Sequence, residues 1–490
     1  MSSKTSIRSG SDIEKASVSP VDSIDHLTPD EERIMKRYLR KTDMRLMVFL
    51  FLGYATAHLN RAVISFAKIV GMEKHLHMSG TQYNTILALF YPTYLVFQTF
   101  LNLVYRKVGA RKYIPTTIFV SGALSVCILA VKDFKSMIAV RILEGLFQAG
   151  FSSAVMFSLS LWYPRKYLTT RIGWIGAAAA VGALLYDLFS LGFSYMVTPK
   201  PIYSWQWLYM LVGLMAMASG MYGLVFIRDY PDTASYLNDE ERELIGRVMA
   251  RSNLRASEST VISKKQIVQG LTDWRLMMFM VIDFANSFAS ASASTWAPIT
   301  LQSVGYSTTT VMALLVIPST CASIVASMSG LLARKIGSLG YFQILASILS
   351  TIVLTVGVTG VHNKTARTFS ILVLPIFTTP ACIIAPAWLN VNMRGTDRSA
   401  MTNAFTVVAS TLGTFTNSYA YLNTDYPLYI NGNCSNFGML GAAIICSIIL
   451  IWDFKRQNRK HDENPIDISG MAEQEIKDLG NDHPSFRYTL

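Results

Sequence analysis

Long apolar runs separated by short polar turns constrain this chain more than any other feature. A helix that crosses about 30 Å of hydrocarbon at 1.5 Å per residue needs about 20 mostly apolar residues. About twelve segments meet that measure, beginning near Leu46, Tyr83, Tyr113, Ser136, Thr170, Gln206, Leu276, Thr308, Tyr341, Thr368, Ser399 and Phe437. Across 490 residues 51% are hydrophobic and only 15% charged, a balance foreign to soluble domains. Lipid offers the backbone no hydrogen bonds, so each segment must satisfy its own peptide groups as helix. The expected fold is an all-α membrane protein of twelve transmembrane helices in two six-helix halves.

A net charge of +12 raises the question of nucleic acid, and the placement of the charge answers it. RKVGARK (106–112), RKYLTTR (165–171), Arg334–Lys335, RGTDR (394–398) and KRQNRK (455–460) all fall between alternate spans, hence on one side. The opposite loops carry only scattered Lys200, Lys364 and Arg367. Without base-reading motifs or interleaved aromatics, these clusters read as inner loops near anionic lipid, with both ends of the chain cytoplasmic and no nucleic-acid partner. Five scattered cysteines show no paired spacing, so neither a disulfide framework nor a metal site is expected, and no cofactor. The first 40 residues lack the apolar core of a cleavable signal, so the first span is expected to direct insertion.

Five regions follow: an unstructured cytoplasmic tail over 1–40, a first six-helix bundle over 41–228, and a cytoplasmic linker with a surface helix over 229–275. A second bundle over 276–455 and a polar cytoplasmic tail over 456–490 complete the chain. The first tail ends in an amphipathic stretch, TPDEERIMKRYLRK, where Thr28 and Glu31 have the spacing of a capping box. The halves share a short motif: NLVYRKVG (102–109) follows the second span and GLLARKIG (330–337) follows the eighth. An internal duplication explains that match. Arg106, Lys107 and Gly109, with Arg334, Lys335 and Gly337, are the expected gate elements at inner helix ends.

The layout and these loops resemble the major facilitator superfamily, and finer motifs resemble the fungal anion:cation symporters, which include allantoate, nicotinate, pantothenate and biotin permeases. The motifs are SGTQYNTILALFYPTYLVFQ (79–98), RILEGLFQAGF (141–151), SLWYPRKYLTTR (160–171), WQWLYMLVG (205–213) and RDYPDTASYLNDEER (228–242). The series Trp388, Asn392, Gly395 and Arg398, then DYPLYING (425–432) and the final FRYTL, extend the likeness to residue 490. The resemblance implies a plasma-membrane carrier of small organic anions, coupled to protons. No retrieval signal decides between plasma membrane and an internal membrane such as the endoplasmic reticulum, and a monomer is expected.

Charges inside a bilayer cost several kcal/mol and mark pathways. Arg61 stands about 22 Å along its span at the helical rise, and its five-donor fork suits a carboxylate better than a lysine does. The resemblance implies that it binds the anion. Where the family shows Asp-Arg-x-Asn, this chain has Asn60, Arg61 and Val63; the family's glutamate in the second span is Gln98, and its Glu-Ala-Gly is Gln148-Ala149-Gly150. Three expected carboxylates are therefore amides, unable to carry a proton. Glu144, Asp187 and Asp283 are the remaining candidates for proton coupling. Glu144 shares a helix face with Gln148 and with Arg141, and Arg141, Gly145 and Ala149 match the superfamily's Arg-x-x-x-Gly pattern, which implies close packing.

Tyr91, Tyr94, Gln98 and Asn102 form a polar stripe at helical spacing. Asn286, Trp296, Trp388 and Asn392 are counterparts in the second half. The expected substrate-binding set is Asn60, Arg61, Tyr94, Gln98, Gln148, Asn286, Trp388 and Asn392. Prolines 298, 318, 375, 380 and 386 sit in second-half spans, where missing N–H groups permit kinks. Sequons at Asn363 and Asn433 fall in predicted outer loops. An ATP drive and an intramembrane enzyme find no motif here. The missing acids keep a gradient-driven facilitator or exchanger in view beside the symporter, and a nutrient sensor that binds without turnover is the remaining class.

Overall fold

The computed structural model describes residues 28–196, 202–228, 230–257, 273–336, 338–360, 362–392, 396–463 and 487–490. Most of the expected tails (1–27, 464–486), part of the linker (258–272) and Gly337 lie outside them. The amphipathic stretch is α1 (Pro29–Thr42). Thr28 accepts from the Glu31 N–H at 3.3 Å while the Glu31 carboxylate accepts from the Thr28 N–H at 3.0 Å, so two otherwise orphaned donors are satisfied. Met35, Tyr38 and Leu39 are buried on its inner face, which joins α1 to the first bundle. One wide turn, Asp43–Met47, continues into α2 (Val48–Ile69).

The first half continues with α3 (Gln82–Val108), α4 (Ala110–Cys127), α5 (Phe134–Gln148) with α6 (Phe151–Trp162), α7 (Arg165–Ser194) and α8 (Ser204–Phe226). The linker contributes α9 (Asp239–Ser257). In the second half lie α10 (Trp274–Ala291) with α11 (Ala297–Ser303), α12 (Thr308–Ile336), α13 (Leu339–Thr359), α14 (Lys364–Val391), α15 (Thr396–Asn417) and α16 (Ile430–Glu463). Counting α5 with α6 and α10 with α11 as single spans, each half supplies six. Ten of the twelve are long and apolar enough on those criteria alone. The other two, α3 and α15, have the length, 27 and 22 residues. No strand occurs among the described residues.

Within the halves α4 packs on α8 and α2 on α7 and α8, while α10 packs on α15 and α16 and α13 on α14. Between halves α7 meets α12, α3 meets α15 and α11 meets α2. The face where the basic loops gather is termed the basic face and the opposite one the far face. Among the described residues, direct hydrogen bonds between the halves concentrate at the far face. Asn84 donates to the carbonyls of Ser418 at 2.6 Å and Tyr421 at 3.0 Å, and Gln302 donates to that of Ile69 at 3.1 Å. The Lys68 ammonium donates to Asn423 Oδ1 at 3.1 Å and lies 4.1 Å from the Tyr83 ring centre and 5.1 Å from that of Trp296. An apolar cluster containing Val63, Phe66, Trp296, Leu301, Met312 and Tyr421 fills the space beneath.

Two glycines fix the helix positions that matter for the site. Gly109 joins α3 to α4 at φ +86°, a conformation that side-chain-bearing residues avoid. Gly145 sits where an added Cβ would stand 2.7 Å from the Phe90 carbonyl oxygen, so α5 lies against the backbone of α3. That is the close packing anticipated for Gly145. Gly145→Val should push α5 off α3 at a cost of about 1–3 kcal/mol. The check is a thermal melt of the detergent-purified protein, in which a melting temperature equal to the parent's would contradict the close approach.

Candidate substrate site

Adjacent residues on a helix point about 100° apart, and α2 uses this to send Asn60 and Arg61 to different neighbours. Asn60 is buried against α4 and α5, whereas Arg61 is half-buried and turned toward α3. On α5, Arg141, Glu144 and Gln148 share the face that looks at α2, α4 and α8.

A buried ion pair organises this face. Arg141 Nη1 donates to Glu144 Oε2 at 2.9 Å, and Arg141 Nη2 donates to the Tyr209 hydroxyl at 2.6 Å. The other carboxylate oxygen, Oε1, accepts from Asn60 Nδ2 at 3.3 Å and from Ser125 Oγ at 3.4 Å. Ser125 Oγ also lies 3.0 Å from Asn60 Oδ1. Glu144 therefore has a cation on one oxygen and neutral donors on the other. An ionised aspartate at position 60 has no hydrogen to give Glu144, and this accounts for the amide there.

Arg61 stands apart from that pair. Its Nε donates to Gln148 Oε1 at 3.0 Å, and Gln148 Nε2 in turn donates to Ser121 Oγ at 2.9 Å. Its carbon centre lies 5.2 Å from the Phe90 ring centre and 5.6 Å from that of Tyr94, rings stacked on each other at 5.8 Å. Among the described residues no carboxylate lies within 4 Å of Arg61, and its two terminal nitrogens make no hydrogen bond. Four N–H donors of a positive fork thus remain unused beside an aromatic wall.

Among the described residues, one cavity is bounded by Asn60, Ser121 and Gln148 with Phe147, Phe151 and Ala216. A larger one lies in the second half near the far face and includes Arg367, Tyr421 and Asn433 in its wall. Arg367 Nη2 already donates to Ser303 Oγ at 3.0 Å and to the Pro427 carbonyl at 2.7 Å. The smaller cavity, which shares Gln148 with the unpaired Arg61, is therefore the better candidate.

Asn60, Arg61, Tyr94, Gln148 and Glu144 lie close together, with Asn60 bonded to Glu144 and not to Arg61. Gln98 lies farther along α3, 3.5 Å from Ser153 Oγ and not bonded to Arg61. Asn286 departs from expectation: it donates to the Ala381 carbonyl at 3.3 Å and accepts from Gln343 at 3.1 Å, so its amide is consumed inside the second bundle. Trp388 and Asn392 depart further. Both sit at the basic-face end of α14 and bind the chain's own Thr489 carbonyl at 2.9 Å, so they do not line the central site. Asp187 is buried on α7 beside Ser319 of α12, at the contact between halves. Asp283 is buried on α10 with Oδ2 unpartnered. Of the gate motifs, Lys107 and Lys335 are exposed, Gly109 makes the α3–α4 turn, and the side chains of Arg106 and Arg334 lie outside the described set. Sequence reasoning missed Ser121, Ser125 and Tyr209. The two serines recur at helical spacing in an otherwise apolar span, the one signal available.

The family model described as Major Facilitator Superfamily matches residues 50–417. The chain belongs to the major facilitator superfamily. It is 25% identical to the major facilitator-type transporter hxnP of Emericella nidulans, over 93% of each chain. It is 24% identical to the MFS-type transporter efuF of Hormonema carpetanum, over 94% of this chain and 93% of that one. Among solved structures, the xylose transporter XylE from E. coli in a partially occluded inward-open conformation superposes with a TM-score of 0.63 at 14% identity, covering 88% of this chain and all (100%) of that one. The protein is a transporter and not an enzyme.

Position 148 of this transporter supplies the side chain that meets Arg61 Nε. Gln148→Glu should place a carboxylate on the Arg61 Nε and cancel its charge, weakening anion binding by about tenfold or more, since a hydrogen bond to a charged group is worth about 1.5–3 kcal/mol. Asn60→Asp should instead set two carboxylates side by side, so that one holds a proton across part of the accessible pH range. Ligand-induced thermal shifts at pH 5 and pH 7.5 measure both. Parent-like, pH-independent shifts in both variants would refute this view of the amides.

Proposed function

We propose that this transporter carries a small, partly apolar organic anion by alternating access, with Arg61 as the clamp for its carboxylate. The unpaired guanidinium beside Phe90 and Tyr94 carries this reading. A fork with four unused donors matches a carboxylate's two oxygens, and the rings suit an apolar body. The allantoate permease-like likeness of the sequence agrees in substrate class. So does a relative from Agrobacterium vitis named for tartrate transport, 28% identical over 55% of this chain and 61% of that one.

Proton symport is the proposed drive. Glu144 is held by Arg141, Asn60 and Ser125, which leaves Asp187 and Asp283 as carboxylates without a cation bonded to them among the described residues. Asp187 is the stronger of the two because it stands where α7 meets α12, a contact that must alter when the halves rock. The three amides favour a second reading, a facilitator or exchanger that moves the anion down its own gradient. By the positive-inside rule the basic face is cytoplasmic. The hydrogen-bonded far face is then the closed outer side, and the plasma membrane is the proposed site of a monomeric carrier.

A thermal-shift screen of small carboxylates and neutral analogues tests the substrate class. Binding at a hundredfold excess over Kd stabilises by about 2.7 kcal/mol. One carboxylate should stabilise the parent and fail to stabilise Arg61→Gln. Stabilisation by neutral or cationic ligands alone, unchanged in Arg61→Gln, would make Arg61 structural. With that ligand in hand, uptake into vesicles with and without an inward proton gradient separates the drives. Under symport the gradient accelerates uptake in the parent and not in Asp187→Asn, whereas equal rates in the parent establish the facilitator.

A further inference from the structure

Residues Arg487–Leu490 occupy a groove on the basic face of the second half. The Tyr488 N–H donates to Asn458 Oδ1 at 2.7 Å, and the Tyr488 carbonyl accepts from Asn458 Nδ2 at 2.8 Å. One residue later the pattern repeats with a different amide. The Thr489 N–H donates to Asn392 Oδ1 at 2.7 Å, and its carbonyl accepts from Asn392 Nδ2 and from Trp388 Nε1, each at 2.9 Å. Ser338 Oγ donates to the Leu490 carbonyl oxygen. Two asparagines thus read both backbone groups of successive residues, as a neighbouring strand would.

The side chains add sequence dependence. The Tyr488 ring is buried, stacked on Phe454 with centroids 4.6 Å apart and planes 12° apart. Its hydroxyl accepts from Arg275 Nη1 at 3.0 Å, and Arg275 Nε is anchored on Asp453 Oδ2 at 2.6 Å. Arg487 pairs with Asp462 at 2.7 Å. The groove draws on the start of α10, the N-cap of α13, the end of α14 and the last turns of α16.

We propose that this groove is a peptide-recognition site whose ligand is the chain's own Arg-Tyr-Thr-Leu segment, and that the bound segment clamps α10, α13, α14 and α16 into one rigid unit. Each of these contacts lies within the second half, so the clamp stiffens that half and leaves the contact between halves free to change. It also gives a joint role to two sequence motifs more than ninety residues apart, the Trp388–Asn392 series and the final FRYTL.

The test uses the purified transporter in detergent and reads stability, so its outcome is independent of which substrate is carried. Deleting residues 487–490 should lower the melting temperature by several degrees, and an added FRYTL peptide should restore it. The peptide FRATL should bind about tenfold more weakly or worse, because the stacked ring is lost. If the deleted protein does not fold, Tyr488→Ala, Asn458→Ala and their double variant supply the same answer. A double variant no less stable than the weaker single supports the groove, because the two residues then act through one interaction. An unchanged melting temperature on deletion with no peptide binding, or fully additive losses in the cycle, would overturn the proposal.

Discussion

The Arg141–Glu144 pair is the interaction on which the first half depends. Two opposite charges taken out of water hold together only when their geometry is good and the remaining donors and acceptors are met. Here that demand reaches three other helices: Asn60 on α2, Ser125 on α4 and Tyr209 on α8 each supply a polar atom. Removing either charge would leave its partner buried and uncompensated. The pair also dictates chemistry at position 60, where a donor is needed and an ionised acid supplies none. Since Arg141 and Glu144 neutralise each other, the positive charge in this region comes from Arg61.

The second half is built differently. Besides the buried Asp283, its interior holds amides and hydroxyls, with Gln343 bridging Asn286 and Ser347, Ser287 on Ser410, and Asn417 on Ser292. Such neutral networks fix helix positions without creating a field. Its charged contacts, Arg275 with Asp453 and Arg487 with Asp462, are displaced to the basic face. The two halves share a fold and differ in polar make-up: a buried ion pair with Arg61 nearby in one, a network of amides and hydroxyls with the buried Asp283 in the other.

How far the sequence foretold this follows from the range of each interaction. The spans, the Thr28–Glu31 cap and the shared face of Arg141, Glu144 and Gln148 depend on residues within a turn or two of one another, and periodicity reveals them. Gly145 was legible because a packing pattern marks it. Trp388 and Asn392 were misplaced because their partner lies about a hundred residues away, and nothing local distinguishes an amide that binds a peptide from one that binds a ligand. Asn286 failed for the same reason, its partners lying on α13 and α14. Ser121 and Ser125 were passed over because small hydroxyls are common in apolar helices, where they usually bond back to their own backbone.

The unpaired charge at Arg61 bears on how an anion would drive the cycle. Alternating access requires an occluded state in which both faces close around the centre, and closure lowers the dielectric felt by any charge left there. An empty site would enclose a cation with only Gln148 and two ring faces for company, an unfavourable arrangement. A bound carboxylate would cancel that charge and fill the free donors, so the loaded carrier could occlude at less cost than the empty one. On the proposed reading the substrate is therefore its own key, because a ligand shifts a conformational equilibrium only through its preference for one state. With an amide, Gln148, and no carboxylate against Arg61 among the described residues, the counter-charge on this reading comes from the substrate, which favours tight coupling of movement to the anion whatever the proton does.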